Sequence, residues 1–261
     1  MPNLALTISY NGTRYHGWQR QKNAVTVEET LSRAIARVAG GEPPPITGCS
    51  RTDAGVHALY YVCNFFSETS IPAEKLPLAL NTALPADIRA RRCAVVGGGF
   101  HARFSAVSKT YFYQTYTEKI ANPFLRDFAY HFPHEIDFER VKDAAAHFVG
   151  RHDFSAFMAA GGAQKTTERE VTALEVTRGG GLLRFEITAD AYLYHMVRII
   201  AGTLLYVGAG RIDGAAVPGI IKAGDRRNSG ITAGPMGLYL AKVRYGGRNG
   251  EQNRQEQKTQ E

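Results

Sequence analysis

Along the chain, segments whose apolar residues recur with the period of a strand alternate with segments whose apolar residues recur with the period of a helix. These segments predict the secondary-structure elements. Residues 4–9 place an apolar residue at every second position, which is the period of a half-buried strand. From Thr26 the apolar residues follow helical spacing, and Thr26 with Glu29 predicts a capping box at the start of that helix. The apolar stripe and the two glycines that end the helix are Val27, Leu31, Ile35, Val38, Gly40 and Gly41.

The rest of the first half alternates strands with one short helix. After three prolines, the predicted elements are a short strand from Ile46 into the turn SRTDAGVHA, a strand over 59–66, a helix over 72–84 and a strand over 88–96. The order strand, helix, strand, strand, helix, strand is typical of a ferredoxin-like arrangement with a mainly antiparallel sheet.

A similar pattern recurs after the glycines at 97–99. The predicted elements are a strand over 110–117, a helix over 137–148, a hairpin of strands 171–178 and 182–190, helices over 194–206 and 217–222, and a strand over 238–245. We therefore expect an α+β protein of two related ferredoxin-like, or RRM-like, halves over 1–105 and 106–245, with helices flanking a mainly antiparallel sheet. Residues 246–261 contain no apolar residue and are predicted to be a disordered tail.

The chain is basic, with 31 Lys and Arg against 24 Asp and Glu and a formal net charge of +7. The charges of the tail cancel, so the two predicted halves carry the whole excess. Such an excess favours a polyanionic partner, and nucleic acid comes before a membrane because no basic amphipathic helix stands out. A basic surface without any such partner is equally compatible with the composition.

The sequence lacks the patterns that are typical of a membrane-spanning segment, a signal peptide or a metal site. No apolar run approaches the roughly 20 residues that span a bilayer, and the N-terminus lacks the pattern of a signal peptide. The three cysteines are too widely spaced for a zinc ribbon or a redox pair, and the eight histidines have no metal-ligand spacing. We therefore expect a cytoplasmic protein without a membrane segment or a metal site.

Asp53 is the first candidate for chemistry. It lies in the turn 50–55, where an Asp ordinarily hydrogen-bonds its own backbone. Here Arg51 supplies a nearby positive charge that can keep the carboxylate ionised, and Gly55 allows a backbone or a ligand to approach closely. An ionised carboxylate in a basic cleft can act as a nucleophile or stabilise a cation, and the local residues do not choose between these roles.

Aromatic and basic residues come together again near the start of the second half. Tyr111 and Tyr113 alternate on one predicted strand that follows Arg103. They form either an ordinary aromatic sheet face or a set of rings that stack on exposed nucleobases. Further along, Arg198 lies three residues after His195 in an apolar helix, where it can pair with a buried carboxylate.

The segment SRTDAGVHA resembles the catalytic motif of the tRNA pseudouridine synthase A family, and the resemblance extends from residue 1 to about residue 245. It is also carried by YNGTRYHGWQRQ, RFSAVSKTYFY, GRHDFSAF, LYHMVRIIAGTLLYVGAGR and SGITAGPMGLYLAKVRY. The resemblance implies an isomerase, more closely an intramolecular transferase, that converts uridine to pseudouridine at positions 38, 39 and 40 in the anticodon arm of tRNA. It also implies the pseudouridine synthase fold of two related halves and a homodimer whose subunits are bridged by tRNA. Because the reaction exchanges bonds without oxidation, no cofactor is expected.

By the same resemblance Asp53 is the catalytic aspartate, Arg51 pairs with it, and Tyr111 stacks on the target uracil. Arg198 corresponds to a second basic residue near the aspartate. The substrate-binding residues that the resemblance implies are Tyr111, Arg198, Arg103 and His57.

Some positions depart from the family's usual residues, and none of them is Asp53, Arg51 or Tyr111. They are Glu28, Ser50, Tyr60, Tyr61 and Gly234. We expect these departures to affect loop shape and RNA contacts more than activity.

Two other functions stay open on the residues alone. One is a non-catalytic RNA-binding module, since RRM-like halves with surface aromatics also bind RNA without reacting with it. The other is a hydrolase with an Asp nucleophile, which would need a second catalytic carboxylate or a magnesium cluster. No DxD element accompanies Asp53, so the first alternative is the stronger one.

Overall fold

The computed structural model describes residues 1–162 and 165–246, which divide into two compact units. The first unit contains residues 1–108 together with 240–246, and the second contains residues 109–239. The last strand thus belongs, from Leu240 onward, with the first unit, whereas the predicted second half included it. The halves 1–105 and 106–245 stay a prediction, and the predicted disordered tail lies, from residue 247, outside the described residues.

The first unit has the predicted order of elements. They are β1 (Asn3–Tyr10), α1 (Val27–Ala39), β2 (Thr47–Gly48), β3 (His57–Phe66), α2 (Leu76–Ala83) and β4 (Ile88–Val96). Strand β1 lies between β4 and β3, and β2 pairs with β3, with antiparallel register at all three pairings. The sheet order β4-β1-β3-β2 is that of a ferredoxin-like unit, so the expected arrangement is confirmed here.

The second unit begins within β5 and has more elements than the first. Its elements are β5 (Ala106–Tyr116), β6 (Tyr130–His131), α3 (Phe138–Ala146), β7 (Gly150–Asp153), β8 (Glu168–Gly179), β9 (Leu182–Ala189), α4 (Met196–Gly208) and α5 (Val217–Ala223), and the chain continues into β10 (Leu238–Tyr245). The strand order is β5-β9-β8-β7, with antiparallel pairing of β5 with β9, β9 with β8 and β8 with β7. The predicted hairpin is β8 and β9, and the short strands β6 and β7 were not predicted.

Helix α1 begins as the sequence indicates. Thr26 is its N-cap, and its hydroxyl accepts a hydrogen bond from the backbone N–H of Glu29 at 3.4 Å. The carboxylate of Glu29 contacts the guanidinium of Arg33 at 2.7 Å. Gly40 ends the helix with a φ of 79°, a conformation that glycine adopts without strain. The hydroxyl cap therefore fixes where this helix starts.

Replacing Thr26 by Ala is expected to lower the free energy of unfolding by about 0.5 to 2 kcal/mol, because one N–H of the first turn loses its acceptor. Urea denaturation measures this change. Thr26→Ser keeps the hydroxyl and is the matched control, expected to stay close to wild type. Equal losses for both variants would assign the effect to the methyl group instead of the cap.

Candidate active site

Asp53 lies in the loop 49–56, which joins β2 to β3 in the first unit. The residue before it is fixed at two points. The hydroxyl of Thr52 lies 2.7 Å from the hydroxyl of Tyr10, and the carbonyl of Thr52 accepts a hydrogen bond from the backbone N–H of Trp18 at 3.1 Å. Thr52 is buried, whereas Asp53 is only partly buried. The loop thus holds its backbone in the protein, while Asp53 keeps part of its surface exposed.

The residues after Asp53 are fixed as well. The backbone N–H of Val56 donates to the carbonyl of Asp53 at 3.2 Å, which closes a tight turn. The backbone N–H of Gly55 donates to the carbonyl of Tyr15 at 3.1 Å, and the φ of Gly55 is 77°. The positive φ explains why a glycine stands here.

Residues 10–18, which we call the bracing segment, therefore contact the Asp53 loop on both sides of the aspartate. This segment is itself held at the start of β4, because the carbonyl of Asp87 accepts from the backbone N–H of Asn11 at 2.9 Å. The carboxylate of Asp87 accepts from the hydroxyl of Tyr15 at 2.6 Å. Burial, and then this hydrogen bond, raise the pKa of Tyr15 well above its ordinary value, so the phenol stays a donor.

Two glycines of the bracing segment allow its close approach to the loop. A Cβ on Gly17 would lie 2.4 Å from the carbonyl oxygen of Thr52, and one on Gly12 would lie 1.9 Å from the carbonyl oxygen of Val56. No side chain fits at either position without a shift of backbone atoms.

A buried tyrosine supports the loop from the sheet side. The hydroxyl of Tyr61 on β3 donates to the carbonyl of Ser50, and its ring stacks on Trp18 with 4.1 Å between the centroids. Burial raises the pKa of Tyr61 well above its ordinary value, so this donor stays protonated. Tyr61 is one of the departures from the family pattern, and here it shapes the loop through Ser50.

The other predicted residues of the first unit differ in exposure. Arg51 is exposed beside Asp53, and their predicted pairing stays a prediction. His57 is 2% exposed, and its Nδ1 accepts a hydrogen bond from the backbone N–H of Gly12 at 3.1 Å. It therefore joins the bracing segment to the start of β3, and a direct substrate contact stays a prediction. Arg103 is exposed, with its guanidinium carbon 5.6 Å from the centre of the Phe104 ring.

Tyr111 and Arg198 belong to the second unit. Tyr111 is 6% exposed on β5, and its ring meets the ring of Tyr192 edge to face, with 4.9 Å between the centroids. The hydroxyl of Tyr192 lies within hydrogen-bonding distance of two strand carbonyls, 2.9 Å from that of Lys109 and 2.7 Å from that of Ile187. Tyr192 thus supports Tyr111 from β5 and β9 together.

Arg198 lies in the first turn of α4. Its Nε donates to the carbonyl of Ala233 at 2.7 Å. Burial raises the pKa of Tyr113 well above its ordinary value, and the positive charge of Arg198 lowers that pKa in part. The residue pattern of 194–206 predicted that His195 lies within this helix, but His195 is its N-cap, with a φ of 60°. It is the one non-glycine residue with positive φ in residues 1–162 and 165–246, a conformation that costs about 1 to 2 kcal/mol.

The supporting residues escaped prediction from the sequence. Tyr10, Tyr15 and Trp18 lie in the motif YNGTRYHGWQRQ, but no period or spacing within that motif assigns them a role. Their contacts with the loop join positions more than 30 residues apart, as in the separation of 42 between Tyr10 and Thr52. The one local signal was the glycine content of the motif.

Residues 1–162 and 165–246 contain neither a membrane-spanning helix nor a metal-binding cluster. No helix there combines the length and apolar character needed to cross a membrane. No group of three or more His, Cys, Asp or Glu residues there is arranged to hold a metal ion.

With this geometry in place, the comparisons define the class of the protein. A family model described as tRNA pseudouridine synthase matches residues 6–105 and 144–246, which include the Asp53 loop, the bracing segment and α4. The chain therefore belongs to the tRNA pseudouridine synthase family, and it is an isomerase that acts on uridine in tRNA.

Its curated relatives carry one name. The chain is 48% identical over 245 residues to the tRNA pseudouridine synthase A of Thermoanaerobacter sp. strain X514, covering 94% of this chain and 100% of the relative. It is 45% identical to the tRNA pseudouridine synthase A of Acetivibrio thermocellus over the same shares. It is also 40% identical to tRNA pseudouridine synthase A 2 of Clostridium perfringens, again over 94% and 100%.

The solved structures that match are distant. The chain resembles one from an H/ACA RNP bound to a substrate RNA containing 2′-deoxyuridine, with 11% identity and a TM-score of 0.38 over 78% of this chain and 43% of that one. It also resembles one from a Cbf5-Nop10-Gar1 complex, with 10% identity and a TM-score of 0.38 over 90% and 57%. These matches carry no further argument.

Gly17→Ala is expected to lower the free energy of unfolding by about 2 to 5 kcal/mol, since a positive φ and a clash with the Thr52 carbonyl add together. Gly40→Ala is the matched control, because Gly40 has a similar φ of 79° and nothing within 4 Å of its added Cβ. The control should lose only about 1 to 2 kcal/mol in urea denaturation. Equal losses would mean that the bracing segment tolerates a shift away from the loop.

Proposed function

We propose that this isomerase acts on uridines 38, 39 and 40 of the tRNA anticodon arm, with Asp53 as its nucleophile. The observation that supports this most is the constraint on the Asp53 loop, where Thr52 and Gly55 are both hydrogen-bonded to the bracing segment. A partly buried carboxylate on so constrained a loop can be held at one attack geometry, which is how positioning lowers a barrier. The relatives named tRNA pseudouridine synthase A, matched over 94% of the chain, support a tRNA uridine as substrate. The three positions are those that the resemblance of the sequence motifs implies.

The chemistry needs one carboxylate in its ionised form. The reaction breaks the bond from N1 of uracil to C1′ of ribose, turns the base while it stays bound, and joins C5 to C1′. The proton leaves C5 and the freed N1 gains one, so atoms and electrons balance without an oxidant. Asp53 either attacks C1′ directly or removes the C2′ proton to give a glycal, and both routes stay open. Arg51 supplies positive charge beside it when the tRNA phosphates approach.

Tyr111 is proposed to stack on the target uracil after the nucleotide has flipped out of the anticodon arm, which costs a few kcal/mol. Stacking on an aromatic ring, worth about 1 to 3 kcal/mol, offsets that cost. We also propose that its hydroxyl helps to remove the C5 proton. Full turnover by Tyr111→Phe would contradict the proton role and leave the stacking role intact.

Basic residues are proposed to bind the tRNA backbone, and Arg198 and Arg103 are the first candidates, with His57 as a further substrate contact. The net charge of +7 supports a polyanionic substrate.

We further propose a homodimer bridged by tRNA, located in the cytoplasm. Cys49, Cys63 and Cys93 are buried and form no disulfide bond, which is compatible with a reducing compartment.

The first test uses an unmodified tRNA with uridines at positions 38 to 40, incubated in EDTA without added cofactor and then mapped for pseudouridine. Wild type is expected to modify those positions. Asp53→Ala and the isosteric Asp53→Asn should form no product, because neither side chain supplies a nucleophilic carboxylate. Asp143→Asn, at an exposed position of α3, is the matched control and should match wild type. Product from Asp53→Asn would remove Asp53 from the chemistry.

A second test concerns the support of Tyr111. Tyr192→Phe keeps the edge contact with Tyr111 but loses the bonds to the Lys109 and Ile187 carbonyls, so we expect about 1 kcal/mol less stability and a lower kcat. Tyr239→Phe is the matched control, since it also removes a hydroxyl bonded to a carbonyl, that of Phe128 at 2.7 Å, and its ring stacks on Phe112. It should lose similar stability and keep its kcat. Similar kcat values for the two variants would show that Tyr192 does not position Tyr111.

A further inference from the structure

Phe104 is an exposed aromatic residue on the connection between β4 and β5, in the first unit. Its exposed fraction is 76%, which is unusual for a side chain of this size and apolarity. The other exposed residues of the segment 97–105 are three glycines and Arg103. Phe104 and Arg103 thus present an aromatic ring and a cation next to each other in the sequence, both exposed.

The backbone that carries Phe104 is firmly anchored. The N–H of Ala102 donates to Oδ1 of Asn64 at 2.8 Å, and the carbonyl of Ala102 accepts from the hydroxyl of Tyr245 at 2.8 Å. Ala102 itself is 0% exposed. Burial raises the pKa of Tyr245 far above its ordinary value, so this donor is permanent at physiological pH. The exposure of Phe104 therefore comes from a fixed backbone.

His101 supports the ring of Phe104. The two rings stack with 4.3 Å between their centroids and an interplanar angle of 29°. Nδ1 of His101 accepts from the backbone N–H groups of Arg103 and Phe104, each at 3.2 Å. The imidazole is thereby held beneath the phenyl ring, and binding a ligand on Phe104 would cost little conformational entropy.

Arg103 adds charge beside this stack. Its guanidinium carbon lies 5.6 Å from the centre of the Phe104 ring, and the side chain is exposed. An aromatic face next to a guanidinium matches a nucleobase and its adjoining phosphate, because the ring stacks on the base and the cation binds the phosphate.

The stack lies far from the reacting uridine. Ala102 is bonded to Asn64, which follows His57 by seven residues along β3, and His57 adjoins the Asp53 loop. At about 3.3 Å per residue, that separation along the strand is roughly 23 Å. A base stacked here belongs to a different nucleotide from the one that Asp53 attacks.

We infer that His101, Arg103 and Phe104 form a stacking platform for an unpaired base of the tRNA, remote from the target uridine. The inference rests on the proposed tRNA substrate, and it adds a contact that sets affinity and orientation while leaving the chemical step unchanged. A second copy of the chain is the competing occupant of Phe104.

The test measures tRNA affinity at equilibrium and the single-turnover rate at saturating tRNA. Phe104→Ala and Phe104→Leu should weaken tRNA binding between about fivefold and 150-fold, because each loses the aromatic face. Phe104→Trp should bind at least as well as wild type. Leu78→Ala removes an equally exposed apolar side chain, 74% exposed on α2, and should change nothing. The saturating rate should be the same in all of these variants.

Salt dependence separates the ring from the cation. Arg103→Gln should reduce the slope of log affinity against log salt by roughly 0.7 to 0.9, since one phosphate contact is lost. Phe104→Ala should leave that slope unchanged. A scan of tRNAs with single abasic sites should then find one position whose loss weakens wild type but not Phe104→Ala.

Wild-type affinity in Phe104→Ala would overturn the inference. So would unchanged tRNA binding with an altered oligomeric state in light scattering, which would assign Phe104 to contact with a second copy. Equal losses in Phe104→Leu and Leu78→Ala would also overturn it, because the effect would not be aromatic. If wild type makes no pseudouridine at positions 38 to 40 while Phe104→Ala still weakens tRNA binding, the proposed target positions fail and the platform stands.

Discussion

The contact between the bracing segment and the Asp53 loop is the constraint on which the role proposed for Asp53 depends. A carboxylate in a surface turn ordinarily samples many positions, and an enzyme that attacks one carbon atom needs only one of them. Here hydrogen bonds to the residues on either side of Asp53 remove that freedom, through Trp18 to Thr52 and through Tyr15 to Gly55. The glycines at 12 and 17 are what allow two backbones to lie so close.

Tyrosine hydroxyls provide much of the remaining support. Tyr61 donates to the carbonyl of Ser50, Tyr113 to that of Gly234, and Tyr245 to that of Ala102. Loop carbonyls lack the regular partners of a sheet, and an unsatisfied buried one would be costly. Burial raises the pKa of each of these phenols, so the donors stay protonated. The hydroxyls of these three tyrosines thus donate hydrogen bonds to carbonyls outside the regular sheet, while their buried rings fill the core.

Elements defined by local patterns were predictable from the sequence, and contacts between distant residues were not. The cap and stripe of α1, the β8–β9 hairpin and the bounds of β4 and β10 follow from neighbouring residues alone. Strands β6 and β7 have two and four residues, too few to display a period of two. The left-handed N-cap at His195 and the loop supports Tyr10 and Trp18 depend on tertiary packing. For the site, Asp53 could be singled out only as a carboxylate in a basic turn, and the resemblance supplied its role.

The two units differ in the connection between two neighbouring antiparallel strands. In the first, β2 and β3 are joined by the long loop 49–56, which has room for a carboxylate and for backbone contacts that fix it. In the second, β8 and β9 are joined by a tight turn, with Gly179 paired to Leu182 and positive φ at Gly180 and Gly181. So short a connection has no backbone to spare for a supported nucleophile. The candidate nucleophile therefore lies in the first unit, and the second unit holds buried aromatics and Arg198 on a more regular scaffold.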